Sequence, residues 1–196
     1  MSAGPDITRE ALRLDVLYRA KARAEIDAAE AIAGTSQPVR CAGDELADVL
    51  LVKGEPGAAD LAEGVALAGE DGIAADKALD AIGAPAHRFA LCTRLPGLAD
   101  DVRLERLALI VEAVDPRIVI ALDPLAARDI ADACETGPLA PGVLISWHGR
   151  SILAVDGLEA SLSDAALKRR VWAQLKTLAA LVDPATRNGR PQAPVV

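Results

Sequence analysis

Ile118-Val-Ile-Ala-Leu-Asp-Pro124 decides the fold. Five successive apolar residues are far too few for a membrane span, which needs about 20, and a run of this length closed by Asp-Pro reads as a buried strand. Residues 124–134 then read as a helix, so a strand feeds directly into a helix. Working backwards, 104–114 reads as a helix stopped by Asp115-Pro116. His87-Arg-Phe-Ala-Leu-Cys-Thr93 reads as a strand, and 72–82 as an amphipathic helix closed by Gly83. Leu46-Ala-Asp-Val-Leu-Leu-Val52 is a first strand that ends in a glycine-rich turn. Working forwards, Gly142-Val-Leu-Ile-Ser-Trp147 reads as a fourth strand, and 163–182 as a closing helix capped by Ser161 or Ser163. Strands alternating with helices predict an α/β domain: three layers, α/β/α, around a mostly parallel four-stranded sheet.

Outside this unit the chain changes character. Residues 8–33 read as one long helix with Thr8 as N-cap and Gly34 as stop. Its middle, Arg19-Ala-Lys-Ala-Arg-Ala-Glu25, favours helix but buries little, and its second half offers only Ile26 and Ile32 among alanines and charges. That second half is expected to need a partner to cover it. Residues 35–45 read as a polar loop and 183–196 as a frayed tail. The division is therefore 1–45 for the helix and loop, 46–182 for the α/β domain and 183–196 for the tail.

Composition narrows the function classes. Of 196 residues 52% are apolar and 26% charged, which excludes disorder for most of the length. No run is long enough for a membrane helix, and charged residues stand near the N-terminus where a leader would be apolar, so a cytoplasmic protein without membrane contact is expected. The net charge of −8 repels a nucleic-acid backbone unless cations gather on one face. They do gather: from residue 165 onward the charge is +5, against −13 for residues 1–164. Lys168, Arg169 and Arg170 are consecutive and must fan around a helix, so at least one should face outward to a protein partner or to DNA. Four aromatic residues, Tyr18, Phe89, Trp147 and Trp172, leave few rings for stacking on bases. Cys41, Cys92 and Cys134 lie too far apart to suggest a disulfide framework or a zinc site, so no metal is expected.

Ligands in open α/β sheets sit beyond the carboxyl ends of the strands. The residues to inspect are then Lys53-Gly-Glu-Pro-Gly57, Cys92-Thr-Arg94, Asp123-Pro124 and Ser146-Trp-His-Gly-Arg150. The first lacks the spacing of a P-loop, and no Ser or Thr follows to hold a metal, which makes a nucleotide phosphohydrolase the weakest reading.

Val52-Lys-Gly-Glu-Pro-Gly57, followed by Gly64, Gly69, Gly72 and a helix ending Leu79-Asp-Ala-Ile-Gly83, resembles the first motif of bacterial uracil-DNA glycosylases of the thermophile type. Ile118-Val-Ile-Ala-Leu-Asp-Pro-Leu-Ala-Ala127 is similar to that family's central strand and helix entry, and Ile145-Ser-Trp-His-Gly-Arg-Ser-Ile-Leu153 falls where the family has its His-Pro motif. With Asp164-Ala-Ala-Leu-Lys-Arg-Arg-Val-Trp172, the resemblance spans roughly residues 46–180.

The resemblance implies a glycosylase-like fold and a base-binding site at Gly54, Pro56, Gly57, Leu67, Cys92 and Trp147. Base excision needs an acid or activated water at the sugar, a stacking ring, a base-reading group and an oxyanion stabiliser. Anchored on Pro56-Gly57, the family's acid falls on Gly54 with Glu55 one position late; anchored on Gly54-Glu55, the acid is restored at the cost of a one-residue deletion. Ala66-Leu67 stands where the family has its stacking ring, and Cys92 where it has its base-reading Asn. His148 falls on the family's His, with Gly149 in place of the following Pro. The cysteines of the family's iron–sulfur cluster have no counterparts, so no cofactor is expected. The segment Ala165-Ala-Leu-Lys-Arg-Arg-Val-Trp-Ala-Gln-Leu175 also resembles the last helix of the psi subunit of bacterial clamp loaders, a degenerate relative of the same fold without enzymatic role. Two expectations follow: a non-catalytic accessory of DNA replication or repair that docks a protein through its N-terminal and last helices, or an active glycosylase using Glu55 as acid and His148 as electrophile, with Asp123 as a third candidate.

Overall fold

The computed structural model describes residues 4–34 and 38–182, with side chains from residue 7 onward. Helix α1 spans Gly4–Ile32 and is followed by the short edge strand β1 (Ala42–Gly43). The alternating unit then runs β2 (Val49–Lys53), α2 (Ala58–Glu63), α3 (Glu70–Ala81), β3 (Arg88–Cys92), α4 (Asp100–Val114), β4 (Ile118–Ala121) and α5 (Pro124–Ala133). A hairpin of β5 (Ile145–Trp147) and β6 (Arg150–Ala154) leads to α6 (Leu158–Ser161), α7 (Ala165–Leu175), a 3-10 turn (Lys176–Leu178) and α8 (Ala179–Val182). No helix among the described residues is long and apolar enough to cross a membrane.

The sheet has six strands in the order β1-β3-β2-β4-β6-β5. The four inner strands are parallel, and the two edge strands run antiparallel to their neighbours. This corrects the four-stranded expectation. The additions are β1 and β6, and β1 is only two residues long, too short to leave a period-2 signature.

The inner strands are buried on both faces because their side chains alternate between two apolar clusters. Leu50, Val52, Val119 and Ala121 join Ile26 and Ala29 of α1, Leu107 and Ile110 of α4 and Ile130 of α5. Val49, Leu51, Ile118 and Ile120 join Leu79 of α3, Leu158 of α6 and Val171 and Leu175 of α7. α5 opens on Asp123, whose carboxylate accepts the Leu125 and Ala126 N–H groups. α7 opens on Asp164, which accepts from Ala166 and Leu167, so the cap is Asp164 and neither Ser161 nor Ser163.

The fourth strand of the sequence reading is the largest correction. Residues 145–147 form the edge strand β5, and the fourth parallel strand is β6, whose start at Arg150-Ser151 hides it from an apolar-run criterion. Trp147 pairs with Arg150 across a two-residue turn, His148-Gly149, in which both residues have positive φ (46° and 81°). A type I′ hairpin demands that geometry.

The long helix is corrected too. Its second half is not left open: Ala22, Ile26 and Ala29 are buried against α4, and Glu30 receives a 2.6 Å hydrogen bond from the buried Arg106. Small side chains let the two helices approach closely. Only Ile32 of the pair singled out from sequence stays exposed. The uncovered part is the first half, where every residue from 7 to 18 is exposed. The tail 183–196, with Arg187 and Arg190, lies outside the described residues.

Candidate functional site

The register places Lys53 beside Cys92 and, one position further on, Gly54, Thr93, Asp123 and Asp156 at one level past the carboxyl ends of the four parallel strands. A cavity of about 510 Å³ opens here, lined by residues including Lys53, Glu55, Asp71, Asp123, Asp156 and Glu159. Its charge is dominated by carboxylates, with Lys53 the one cation among the lining residues.

Lys53 ends β2 on the same face as Leu51 and is buried. Its ammonium lies 2.8 Å from Asp60, 2.6 Å from Asp71 and 2.9 Å from Glu159. Burial alone would lower its pKa, but the hydrogen bonds to the three carboxylates outweigh burial and hold it above the usual lysine value. Asp60 is in turn fully engaged: Oδ2 also accepts the Gly57 N–H and Oδ1 the Ala68 N–H. The second oxygen of Asp71 accepts the Gly72 N–H. Lys53 is therefore a permanent cation that fastens α2, α3 and the start of α6 to the end of β2.

Asp123 is spent on the backbone. Oδ1 caps α5 and Oδ2 accepts the Gly54 N–H at 2.7 Å, which ties the loop after β2 to the loop after β4. A Cβ at Gly54 would fall 2.6 Å from the Leu125 Cβ and 2.8 Å from Asp123 Oδ1, so only glycine fits this crossing. Glu55, exposed, lines the cavity. Pro56 lines a neighbouring depression with Arg94 and Arg103, and Gly57 precedes α2.

The remaining residues singled out from sequence do not converge on this cavity. Cys92 is buried among the apolar side chains on the α3 side, and burial pushes its thiol up to about 12. Leu67 has left-handed backbone (φ 57°), packs against the same cluster and is not among the cavity's lining residues. Trp147 and His148 lie at the amino end of β6, where Arg150 is six residues short of the level of Asp156; at about 3.3 Å per residue this is about 20 Å away. Their rings lie 4.7 Å apart, and the Arg150 guanidinium lies 5.3 Å from the Trp147 ring centre. His148 and Trp147 are thus parts of a hairpin at the opposite edge of the sheet from Glu55 and Asp123, which removes them from a shared site.

Sequence reasoning missed Asp60, Asp71, Glu159 and a second polar knot. Asp129, fully buried on α5, accepts from Thr93 Oγ1 at 2.5 Å and from Arg94 Nε and Nη2 at 3.1 and 2.8 Å, with Arg103 at 3.4 Å. Asp71 and Asp129 each sit at helical spacing among small and apolar residues, the pattern of a carboxylate turned inward, but only the fold supplies their cations. Lys168, Arg169 and Arg170 are all exposed, where the fan required only that at least one be so. Arg170 pairs with Asp156 at 3.1 Å, whereas Lys168 and Arg169 make no ion pair among the described residues. Also among the described residues, no group of three or more His, Cys, Asp or Glu is placed to hold a metal ion.

The chain matches no protein-family model and no curated protein.

Proposed function

We propose that this chain is a non-catalytic protein with a degenerate uracil-DNA glycosylase-like, three-layer fold that serves as an accessory, protein-docking subunit in DNA replication or repair. The observation that carries this reading is the Lys53 cluster. Where an open α/β sheet presents its reactive groups, this chain has an ammonium bonded to three carboxylates and an Asp123 saturated by backbone N–H groups. A cavity rimmed by Glu55, Asp71, Asp156 and Glu159 repels the phosphates that a flipped nucleotide would bring with it. The faces left for docking are the outward cations of α7 and the side of α1 that carries Leu12 and Val16.

Excision by Glu55 with His148 is the second reading, and the separation of about 20 Å along the strands weighs against the pair acting on one base. The test is release of free uracil from single- and double-stranded uracil-containing DNA by the purified full-length chain. Release no greater than that of Glu55→Ala is expected; robust release that Glu55→Ala abolishes would overturn the proposal. In the same preparation, charge reversal at Lys168 and Arg169 should weaken association with a replication or repair component and leave folding intact.

A further inference from the structure

The first half of α1 is a helix without a surface to lie on. Ile7, Leu12, Leu14, Val16, Leu17 and Tyr18 are all exposed, from 42% for Leu14 to 67% for Ile7. Arg9, Glu10 and Arg13 have no ion-pair partner among the described residues, in contrast with Arg19 and Arg23, which reach Asp44 and Glu45 of the body. Residues 7–18 make a segment about 18 Å long, continuous with the packed half of α1, that leaves six large apolar side chains in water.

The apolar positions are ordered. Ile7, Ala11, Leu14 and Tyr18 recur at intervals of four, three and four, and the stripe continues into Ala22, Ile26 and Ala29, the residues that α1 buries against the body. One seam therefore runs the length of the helix, covered in its second half and bare in its first. We infer that residues 7–18 pair antiparallel with the same residues of a second copy of this chain. This inference stands apart from the accessory reading above.

Three features select that occupant and orientation. An antiparallel pairing on this seam sets Ile7 against Tyr18 and Ala11 against Leu14 of the second copy, twice each by symmetry, so that a small residue meets a large one in the inner layers. It also sets Glu10 beside Leu17 and Asp15 beside Thr8, with no like charges opposed, whereas a parallel pairing would bring Glu10 against Asp15 on both flanks. Finally, the body begins at Arg19, where the first contact with Asp44 is made. An antiparallel pair puts the two bodies at opposite ends, and a parallel one would press them together. A contact about 18 Å by 10 Å is smaller than the ~800 Å² per partner of a permanent dimer, so the association is concentration-dependent. Leu12 and Val16 lie on the opposite face of the helix and remain open in the pair.

Sedimentation of the full-length chain tests this over a hundredfold range of concentration up to about 100 µM, spanning the regime of a weak dimer. A monomer–dimer equilibrium is expected that Leu14→Glu with Tyr18→Glu abolishes and Leu12→Glu with Val16→Glu leaves within about threefold, a difference below 1 kcal/mol. All four positions are exposed, and far-UV circular dichroism verifies folding of both variants. Under mild oxidation, Ile7→Cys and Tyr18→Cys chains should cross-link to each other when mixed and far less when kept apart. A monomer throughout the range, a dimer that survives Leu14→Glu with Tyr18→Glu, or efficient self-linking of Ile7→Cys would each overturn the inference.

Discussion

The two halves of α1 share a helix and a mixture of charges, yet the alanine-rich second half is a wall of the core and the first half is exposed at every position from 7 to 18. Ala29 is fully buried and Ile26 nearly so, while Ile7 and Leu12 are about two-thirds exposed. The charged residues divide the same way: Glu30 neutralises the buried Arg106, while Glu10 has no ion-pair partner among the described residues. The lesson is that bulk does not decide burial. The half with the larger apolar residues is the exposed one, because close helix packing against α4 favours alanine where backbones must approach.

The strongest way to break this comparison is truncation. Removing residues 1–18 should leave a single cooperative thermal transition, since no described contact with the body is lost before Arg19. Removing residues 1–33 bares the α4 face and strands Arg106, and the cooperative transition should disappear; if both truncations behave alike, the division at residue 18 is wrong. At the sheet edge the same contrast separates Lys53 from Glu55. Lys53→Met leaves two buried carboxylates without their cation and should cost about 3 to 5 kcal/mol in urea unfolding, while Glu55→Gln should stay within about 0.5 kcal/mol.

A smaller effect is expected within α1 itself. Ile26→Ala should cost about 2 to 4 kcal/mol, against less than about 0.5 kcal/mol for Leu12→Ala, and equal losses would place both halves in the core. The smallest effect is a rate. A thiol introduced by Val16→Cys should react with iodoacetamide at neutral pH as a free thiol does, while Cys92, buried with its pKa pushed up to about 12, should react only as the chain unfolds. Labelling of Cys92 before global unfolding would mean that the β3 end opens locally.

Local chemistry left clear marks in the sequence. The run Ile118-Val-Ile-Ala-Leu122 is legible as a buried parallel strand because it is short, rich in β-branched residues and closed by Asp-Pro. Asp123-Pro124 is legible as a strand-to-helix passage, and Gly54 to Gly57 as a turn, whereas the close crossing at Gly54 shows only in the fold. Leu46 to Val52 and His87 to Thr93 were also legible as strands, with ends shifted by a few residues. β1 was not, since two residues carry no period, β5 was legible as a strand but not as an antiparallel edge, and β6 was hidden because its first residues are Arg and Ser, whose burial comes from neighbours distant in sequence.

Charge placement was decided by the tertiary structure alone. Lys53, Asp60, Asp71 and Glu159 span more than a hundred residues of sequence, and their meeting depends on which face of β2 the lysine takes and where three helices begin. His148 looked like a residue at a strand's carboxyl end until the hairpin reversed the chain and put it at the other edge. Sequence by itself determined the alternation of strand and helix, the gathering of cations after residue 165 and the long first helix, because these are set by nearest neighbours along the chain. Which face and which half of that helix is covered, and which charges are neutralised, followed only from how the helices pack on the sheet, because burial and ion pairing are properties of contacts between segments that the chain order does not record.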